Sequence, residues 1–449
     1  MEKTTANEND RFLPSIRFDR DLIWYRGRSV RYAAIDVHTL YESEYAEQRA
    51  SGRTIALVLD ASTSMAGAKL DAAKSAAVRF VELLGPSDTL SIVSFSDDVL
   101  VHAEKISCDE RGRKEAVEAL TSLEPRSMTN LAGGWLQGAE SAARLIDQAS
   151  SDYAWVMVLT DGLANRGITN PTDLFWHSSA LLGKGIGSSV VAIGDHYSTD
   201  QVKAIAFGGG GRYHHGNHPD EIVELLQGEL ELAHKMIARD VVLEVSTAPG
   251  AKVEMLSDFP EMPPEYEPTM EAHSTSSYLL GSIIGGTSKG AVLKLTQPSG
   301  NIGDSSHVFA RLVWNRANQG GSTASPIADS EFVFQRGAVN SPQPRDTEVS
   351  ETAARMWMSW IVRRLLDWNR GGDFVKVRSF FFEQEHYFLP YCYGLPAERK
   401  LIEEFNEIKN QMISPMPERS RREMGILHSK SSRMERDLRR RHPSTIRTS

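Results

Sequence analysis

The chain has 449 residues, of which 41% are apolar and 24% are charged, and its formal net charge is −9. This composition is typical of a soluble globular protein, and the length predicts two or three domains instead of a single core. Cys108 and Cys392 are too few for a disulfide scaffold or a zinc cluster, and the lack of an apolar leader or of about 18 consecutive apolar residues predicts a cytoplasmic protein without a membrane span.

The first predicted elements are strands within residues 13–48. The segments 16–27 and 29–41 have the strand-like character of a hairpin. A hairpin alone buries too little apolar surface to be stable. We therefore expect these N-terminal strands to pair with strands from a later part of the chain.

Strand-like and helix-like segments then alternate from residue 50 to residue 236. The continuous apolar run 54–60 is typical of a strand buried in a parallel sheet, and residues 70–84 place apolar side chains on one helical stripe. Residues 88–96 and 98–106 predict an antiparallel edge hairpin. The next predicted elements are helices at 111–123 and 130–149, strands at 153–162 and 188–194, helices at 172–185 and 198–211, a short strand at 212–216 and a helix at 219–236. This order predicts a doubly wound, mostly parallel sheet.

Five oxygen-bearing side chains are predicted to meet at one edge of this sheet: Asp60, Ser62, Ser64, Thr129 and Asp161. The first three and the last follow strands, and the threonine precedes a helix, so all can lie at the carboxyl edge, where open α/β sheets bind ligands. A polar turn after a strand is commonly only a helix cap, but the distal threonine and aspartate favour a site. Hydroxyl and carboxylate oxygens suit one hard divalent cation.

These residues resemble the metal-ion-dependent adhesion site (MIDAS) of von Willebrand factor A (VWA) domains, written D-x-S-x-S followed by a distal Thr and a distal Asp. The resemblance covers residues 50–236, and the run GDHYSTDQVKAIAFGGGGRYHH is similar to a late segment of bacterial intracellular members. The sequence departs from the commonest pattern at Thr63, where glycine is frequent between the serines. The resemblance implies an α/β fold with a Rossmann-like, mostly parallel sheet.

The resemblance also implies a binding function. In such domains one Mg²⁺ (or Mn²⁺) ion is held by the five MIDAS residues, and its open position takes the carboxylate of an Asp or Glu from a partner protein. Intracellular members are often associated with AAA+ ATPases, as in magnesium chelatase and the MoxR-linked systems, so an AAA+ ATPase is the partner favoured by analogy. We expect a scaffold in an intracellular complex, with no catalytic residue and no other cofactor.

Residues 237–336 are predicted to form an antiparallel β-sandwich. Strand-like segments separated by Gly, Pro and Ser turns lie at 241–256, 276–286, 290–300, 307–316 and 330–335. We expect this sandwich to include the N-terminal strands, with the VWA domain inserted between them. Residues 337–348 then read as a linker.

Residues 349–449 predict a helical region that ends in a basic tail. A stripe of large apolar side chains along the first helix favours a core contact: Trp357, Trp360, Ile361, Leu365 and Trp368. The last predicted helix extends to residue 441, and residues 418–449 hold ten Lys or Arg against four Asp or Glu. Such a tail could contact the phosphates of RNA, although most basic runs are solvated, and nucleic-acid binding is the less favoured interpretation.

Two other classes of function stay open. In an enzyme the same ion would activate water for ester or phosphoester hydrolysis, with His102, His177 or His196 approaching it in space. The sequence shows no recognisable pairing of a nucleophile with a histidine, which argues against this class. An RNA-binding scaffold would use the Arg-rich tail, Arg433, Arg436, Arg439, Arg440 and Arg441.

Overall fold

The computed structural model describes residues 12–39, 52–146, 153–161, 165–194, 198–234, 236–270, 274–284, 287–315 and 322–417, with 420–421, 424–425 and 436–437. Its strands are β1 Phe12–Phe18, β2 Leu22–Trp24, β3 Ser29–Thr39, β4 Thr54–Asp60, β5 Thr89–Phe95, β6 Val99–Ser107, β7 Ala154–Thr160, β8 Ile186–Ala192, β9 Gly210–His215, β10 Met236–Thr247, β11 Lys252–Met255, β12 Thr275–Ile284, β13 Thr287–Gln297, β14 Ser305–Asn315, β15 Ser322–Ala324, β16 Ala328–Gln335 and β17 Arg436–Asp437. Its helices are α1 Ala68–Leu83, α2 Glu110–Thr121, α3 Leu131–Ile146, α4 Pro171–Gly183, α5 Thr199–Gly208, α6 Pro219–His234, α7 Gly337–Asn340, α8 Thr347–Arg370, α9 Phe374–Cys392 and α10 Glu398–Met412. The predicted fold class is confirmed: a doubly wound α/β domain, flanking antiparallel sheets and C-terminal helices.

The sheet of the α/β domain has the strand order β6-β5-β4-β7-β8-β9. β6 is antiparallel to β5 and the other neighbours are parallel, because helical crossovers join them. Every residue of β4, β7 and β8 is buried. Leu57 and Leu59 face one core, which contains Phe80 of α1, whereas Val58 faces a second core, which contains Trp135 of α3.

Two glycines let α3 lie close to this sheet. A Cβ on Gly134 would lie 2.3 Å from Phe95, and a Cβ on Gly138 would lie 2.4 Å from Val58. Larger side chains at these positions would push the helix away from the sheet. The close contact fixes the start of α3, and with it the loop that carries Thr129, at the carboxyl edge.

The flanking strands form two packed sheets, ordered β1-β3-β13-β11 and β12-β10-β14-β16-β2. β3 lies between β1 and β13 and pairs with β13 from Ser29 to His38. Side chains of both sheets form one core, in which Phe18 stacks on Phe332 with ring centroids 3.9 Å apart. The α/β domain lies between β3 and β10 in the chain, so residues on both sides of it contribute to this core.

The predicted N-terminal hairpin is wrong in one respect. β1 and β3 pair antiparallel, but β2, which lay within its expected first arm, joins the other sheet and pairs in parallel with β16. The reason is the buried carboxylate of Asp19, whose Oδ1 accepts the Tyr32 N–H at 2.8 Å. This donor is therefore not available to a longer hairpin, and the chain turns away at Asp19.

The predicted linker 337–348 also has more structure than expected. It contains α7, and α8 begins inside it at Thr347. Gln343 accepts the Leu22 N–H at 2.7 Å and donates to the Leu22 carbonyl at 3.0 Å, while Arg31 donates to Asn340 Oδ1 at 2.7 Å. Because Gln343 binds the backbone of β2 and Asn340 binds the Arg31 side chain of β3, the segment is fastened to the sandwich.

The C-terminal helices cover the outer face of the sheet that contains β3. Tyr32 and Val292 of this sheet share a core with α8, α9 and α10, and Trp357 lies in that core with 5% exposure. The Trp357 Nε1–H donates to Gln384 Oε1 at 2.8 Å. Trp357 of the aromatic stripe therefore contacts both the sheet, at Tyr32, and α9.

The predicted helix at 418–441 is wrong at Arg436–Asp437, which pairs as an antiparallel strand with Thr287–Ser288. β11 pairs only with residues 293–296 of β13. The start of β13, on the same edge of the sheet, can therefore pair with a second short strand. Most of the Arg-rich tail, including Arg433 and Arg439 to Arg441, lies outside the described residues. Among the residues described, no helix is long and apolar enough to cross a membrane.

The nested arrangement predicts different behaviour for fragments of the chain. We expect residues 52–234 to fold alone, because their two cores are complete. Residues 236–417 should lack fixed tertiary structure, since β3 is missing from the middle of its sheet. Joining residues 12–39 to 236–417 by a flexible linker should restore it. Near-ultraviolet circular dichroism of the three fragments measures this, and a folded 236–417 fragment would contradict it.

Candidate metal centre

Two predicted ligands end neighbouring strands. Asp60 is the last residue of β4, and Asp161 directly follows β7, which pairs in parallel with β4. Both side chains have 0% exposure. The parallel pairing therefore brings two buried carboxylates to the same edge, although they are far apart in the sequence.

Hydrogen bonds hold the Asp60 carboxylate in one orientation. Its Oδ1 accepts the Ser62 N–H at 2.8 Å, and its Oδ2 accepts the Thr160 hydroxyl at 2.5 Å. Burial raises the pKa of Asp60 to about 6, and the hydrogen bonds from Ser62 and Thr160 oppose that rise. A cation beside the carboxylate would lower this pKa, because it would stabilise the ionised form.

A chain of side-chain contacts links the two serines to the second aspartate. The hydroxyls of Ser62 and Ser64 lie 2.9 Å apart, and the Ser64 hydroxyl donates to Asp161 Oδ1 at 2.7 Å. Ser62 is buried, whereas Ser64 is exposed. The network runs from the interior of the sheet to its surface, so a ligand from solvent can reach it at Ser64.

Hydrogen bonds hold the loop that carries Thr129 at the same edge. The N–H and the hydroxyl of Thr63 both donate to the Ser127 carbonyl at 3.1 Å. The Asn130 N–H donates to the Ser96 carbonyl at 2.7 Å. Thr129 lies between these anchors with 5% exposure. Thr63, where the family commonly has glycine, thus holds the loop of the distal threonine against the serine turn.

The sequence interpretation missed two partners of the aspartates, Lys69 and Thr160. The Lys69 ammonium contacts Asp161 Oδ2 and donates to the Ser64 carbonyl at 3.2 Å. A single lysine at the start of a helix is normally solvated, so no sequence signal marked it. Thr160 precedes Asp161 in the run VLTDG, and only the pairing of β7 with β4 brings its hydroxyl to Asp60.

The residues at this edge fit a hard divalent cation. Within the described ranges, no group of three or more His, Cys, Asp or Glu could hold a metal ion, so a site here would use serine and threonine oxygens as well. Asp161 forms an ion pair with the Lys69 ammonium, so its buried carboxylate already binds one cationic group. An all-oxygen donor set suits Mg²⁺ or Mn²⁺. That the five side chains are ligands stays a prediction.

One serine–histidine pair lies near this edge. The Ser94 hydroxyl and His102 Nε2 are 2.7 Å apart, and Arg126 donates to the same hydroxyl at 2.8 Å. Burial and the Arg126 charge lower the pKa of His102. Ser94 has 0% exposure, so no substrate can reach its oxygen, and the pair holds β5 to β6. His177 is exposed on α4, and His196 lies outside the described residues.

Known proteins resemble both the domain and the whole arrangement. Residues 55–163 match the family model for the von Willebrand factor type A domain. Inter-alpha-trypsin inhibitor heavy chain H3 from Homo sapiens is 34% identical over 126 residues, which are 26% of this chain and 14% of that protein. A solved structure of a von Willebrand factor type A protein from Catenulispora acidiphila has a TM-score of 0.60 and 18% identity, and the match covers 87% of this chain and 90% of that chain. The ArnB paralog VWA2 from Sulfolobus acidocaldarius has a TM-score of 0.53 and 16% identity, and the match covers 94% of this chain and 99% of that chain.

The chain therefore contains a VWA domain. The chain covers only 14% of the length of that curated relative, so the match does not extend to the rest of the relative. The two solved structures extend the likeness to most of the chain, and at their low identities they show a shared fold.

The pKa of Asp60 leads to a testable stability effect. Because its folded pKa, about 6, exceeds the ordinary 3.8, the ionised carboxylate destabilises the fold above pH 6, and this cost disappears as the pH falls towards 4. In EDTA at neutral pH, Asp60→Asn should stabilise residues 52–234 by about 3 kcal/mol in urea unfolding, since the pKa is raised by about two units and one unit is about 1.4 kcal/mol. The difference should shrink near pH 4, and a destabilised variant at neutral pH would contradict this account.

Proposed function

We propose that this chain is a metal-dependent protein-binding module. Asp60, Ser62, Ser64, Thr129 and Asp161 would hold one Mg²⁺ or Mn²⁺ ion, which would bind a carboxylate of a partner protein. The observation that carries the proposal is the hydrogen-bond network from buried Asp60 and Ser62 through Ser64 to Asp161 at the open edge of the sheet.

The charge of the edge favours an anionic ligand. Two carboxylates would neutralise a divalent ion, and the nearby Lys69 ammonium leaves a net positive charge. The three hydroxyls add no charge, so the ion would remain an acceptor for an external oxygen. An Asp or Glu side chain is the common protein group that supplies such an oxygen.

The rim of the site offers a surface for a protein partner. Thr63 and Ser64 are exposed, and Met128 beside Thr129 is 46% exposed. A flexible apolar side chain next to a polar anchor can pack against many partners. A partner would then gain apolar contact around its carboxylate.

The sandwich would leave this edge accessible. The sandwich contacts the opposite end of the domain, where a Cβ on Gly183 would lie 2.7 Å from Asp240 and one on Gly210 would lie 2.3 Å from Ser282. Gly183 ends α4 and Gly210 begins β9, both far from the carboxyl edge. We propose an intracellular complex as the setting, with an AAA+ ATPase as the partner by analogy with intracellular VWA proteins.

We favour binding over catalysis for a physical reason. The serine–histidine pair nearest the site is buried at Ser94, and both aspartates are held by hydrogen bonds or an ion pair. Neither the serine–histidine pair nor the two aspartates are placed to act as a general base towards solvent. A role of the Arg-rich tail in RNA binding stays a separate prediction, recognised by binding that weakens steeply with salt and survives Asp60→Ala.

Affinity capture from a native lysate tests the proposal. Full-length wild type should capture a partner in Mg²⁺ and lose it in EDTA, and Asp60→Ala/Thr129→Ala should lose it in both. Ser64→Ala should weaken capture about tenfold, since one lost hydrogen bond to a charged group costs about 1.5 kcal/mol.

Ser107→Ala is the matched control for Ser64→Ala. Ser107 is also exposed, but it ends β6 at the opposite edge and donates to the Pro86 carbonyl at 3.1 Å. This variant should capture the partner as wild type does. A set of captured proteins that persists in EDTA and in every variant would contradict a metal-bridged contact, whereas turnover of a phosphodiester or ester that requires Mg²⁺ and Asp60 would favour the hydrolase class.

A further inference from the structure

Lys69 places a positive charge inside the candidate site. Its ammonium contacts Asp161 Oδ2 and lies 3.2 Å from the Ser64 carbonyl, to which it donates. The Asp161 side chain has 0% exposure, whereas 32% of the Lys69 side chain is exposed. The ammonium therefore joins the buried carboxylate to the solvent-facing side of the site.

The backbone positions Lys69 for this contact. Gly67 has φ 79°, a conformation that favours glycine, and it turns the chain so that α1 begins directly after the serine turn. Lys69 then falls in the first turn of α1. Its stem passes Gly194, where a Cβ would lie 3.0 Å from Lys69 Cε. The stem is thus packed on one side and directed towards Asp161.

The location of Lys69 in its helix is otherwise unfavourable. A positive charge in the first turn of a helix is repelled by the partial positive charge of the helix N-terminus. The contact with buried Asp161 compensates for this repulsion. The same carboxylate oxygen is one that a divalent ion would use, directly or through water.

We propose that Lys69 is a built-in cation that competes with the divalent ion for Asp161 and thereby sets the metal affinity of the site. This inference rests on the proposed function. When a divalent ion binds, the Asp161 negative charge is shared with it, and the partly exposed Lys69 side chain moves towards solvent. Lys69 thus stabilises the protein at low metal concentration and weakens metal binding.

Calorimetric titration of full-length protein with Mn²⁺ tests this inference. Lys69→Met should bind Mn²⁺ at least about tenfold more tightly than wild type, because the competing ammonium is gone; tenfold corresponds to about 1.4 kcal/mol. In EDTA the same variant should melt at a lower temperature than wild type, since Asp161 loses its counter-charge. Lys69→Gln, which keeps a donor without the charge, gives a second measurement if the Met variant does not fold.

Lys74→Met is the matched control. Lys74 lies on α1 and its ammonium also donates to a backbone carbonyl, that of Thr121 at 3.0 Å, away from the site. It should leave the Mn²⁺ affinity as in wild type, so that a general charge effect is excluded. If wild type binds Mn²⁺, Asp60→Ala does not, and both Lys69 variants bind no more tightly than wild type, the Lys69 inference is overturned while the metal site stands. If no protein binds Mn²⁺, both are overturned.

Discussion

The burial of two carboxylates at the ends of two fully buried parallel strands, β4 and β7, is the constraint on which the site depends. Asp60 and Asp161 both have 0% exposure, and an ionised group without water needs hydrogen bonds or an opposite charge. The compensation comes from Thr160 on β7, from the serine turn and from Lys69 on α1. Because these groups come from separate segments, the site exists only when the whole α/β domain is folded.

The rest of the chain holds that domain in a fixed frame. The α/β domain leaves the sandwich after β3 and returns to it at β10, so both of its ends lead into the same folded unit. A second attachment lies at the end of α8, where Arg370 donates to Asp200 at 2.9 Å. Asp200 is in the first turn of α5. Attachments at two places restrict rotation of the domain relative to the sandwich and helices.

Local patterns predicted the central elements well, because each has a strong period or a clear boundary. The apolar run of β4 and the stripe of α1 were recognised within two residues of their ends. The flanking strands were harder to predict, because β2 has only three residues and pairs with β16, which is distant in the sequence. The turn at Asp19 depends on a contact with Tyr32 that no local pattern shows.

The sequence by itself determined the VWA fold class and the five candidate ligands, because residue type, spacing and alternation are local properties of the chain. Only the tertiary structure decided how these residues are held. It joined Ser64 to Asp161, placed the Thr160 hydroxyl on Asp60 and directed Lys69 at a buried carboxylate. It also divided β1 and β2 between two sheets. These contacts join residues distant in the sequence, and their energies arise from burial and charge that exist only after the strands have paired.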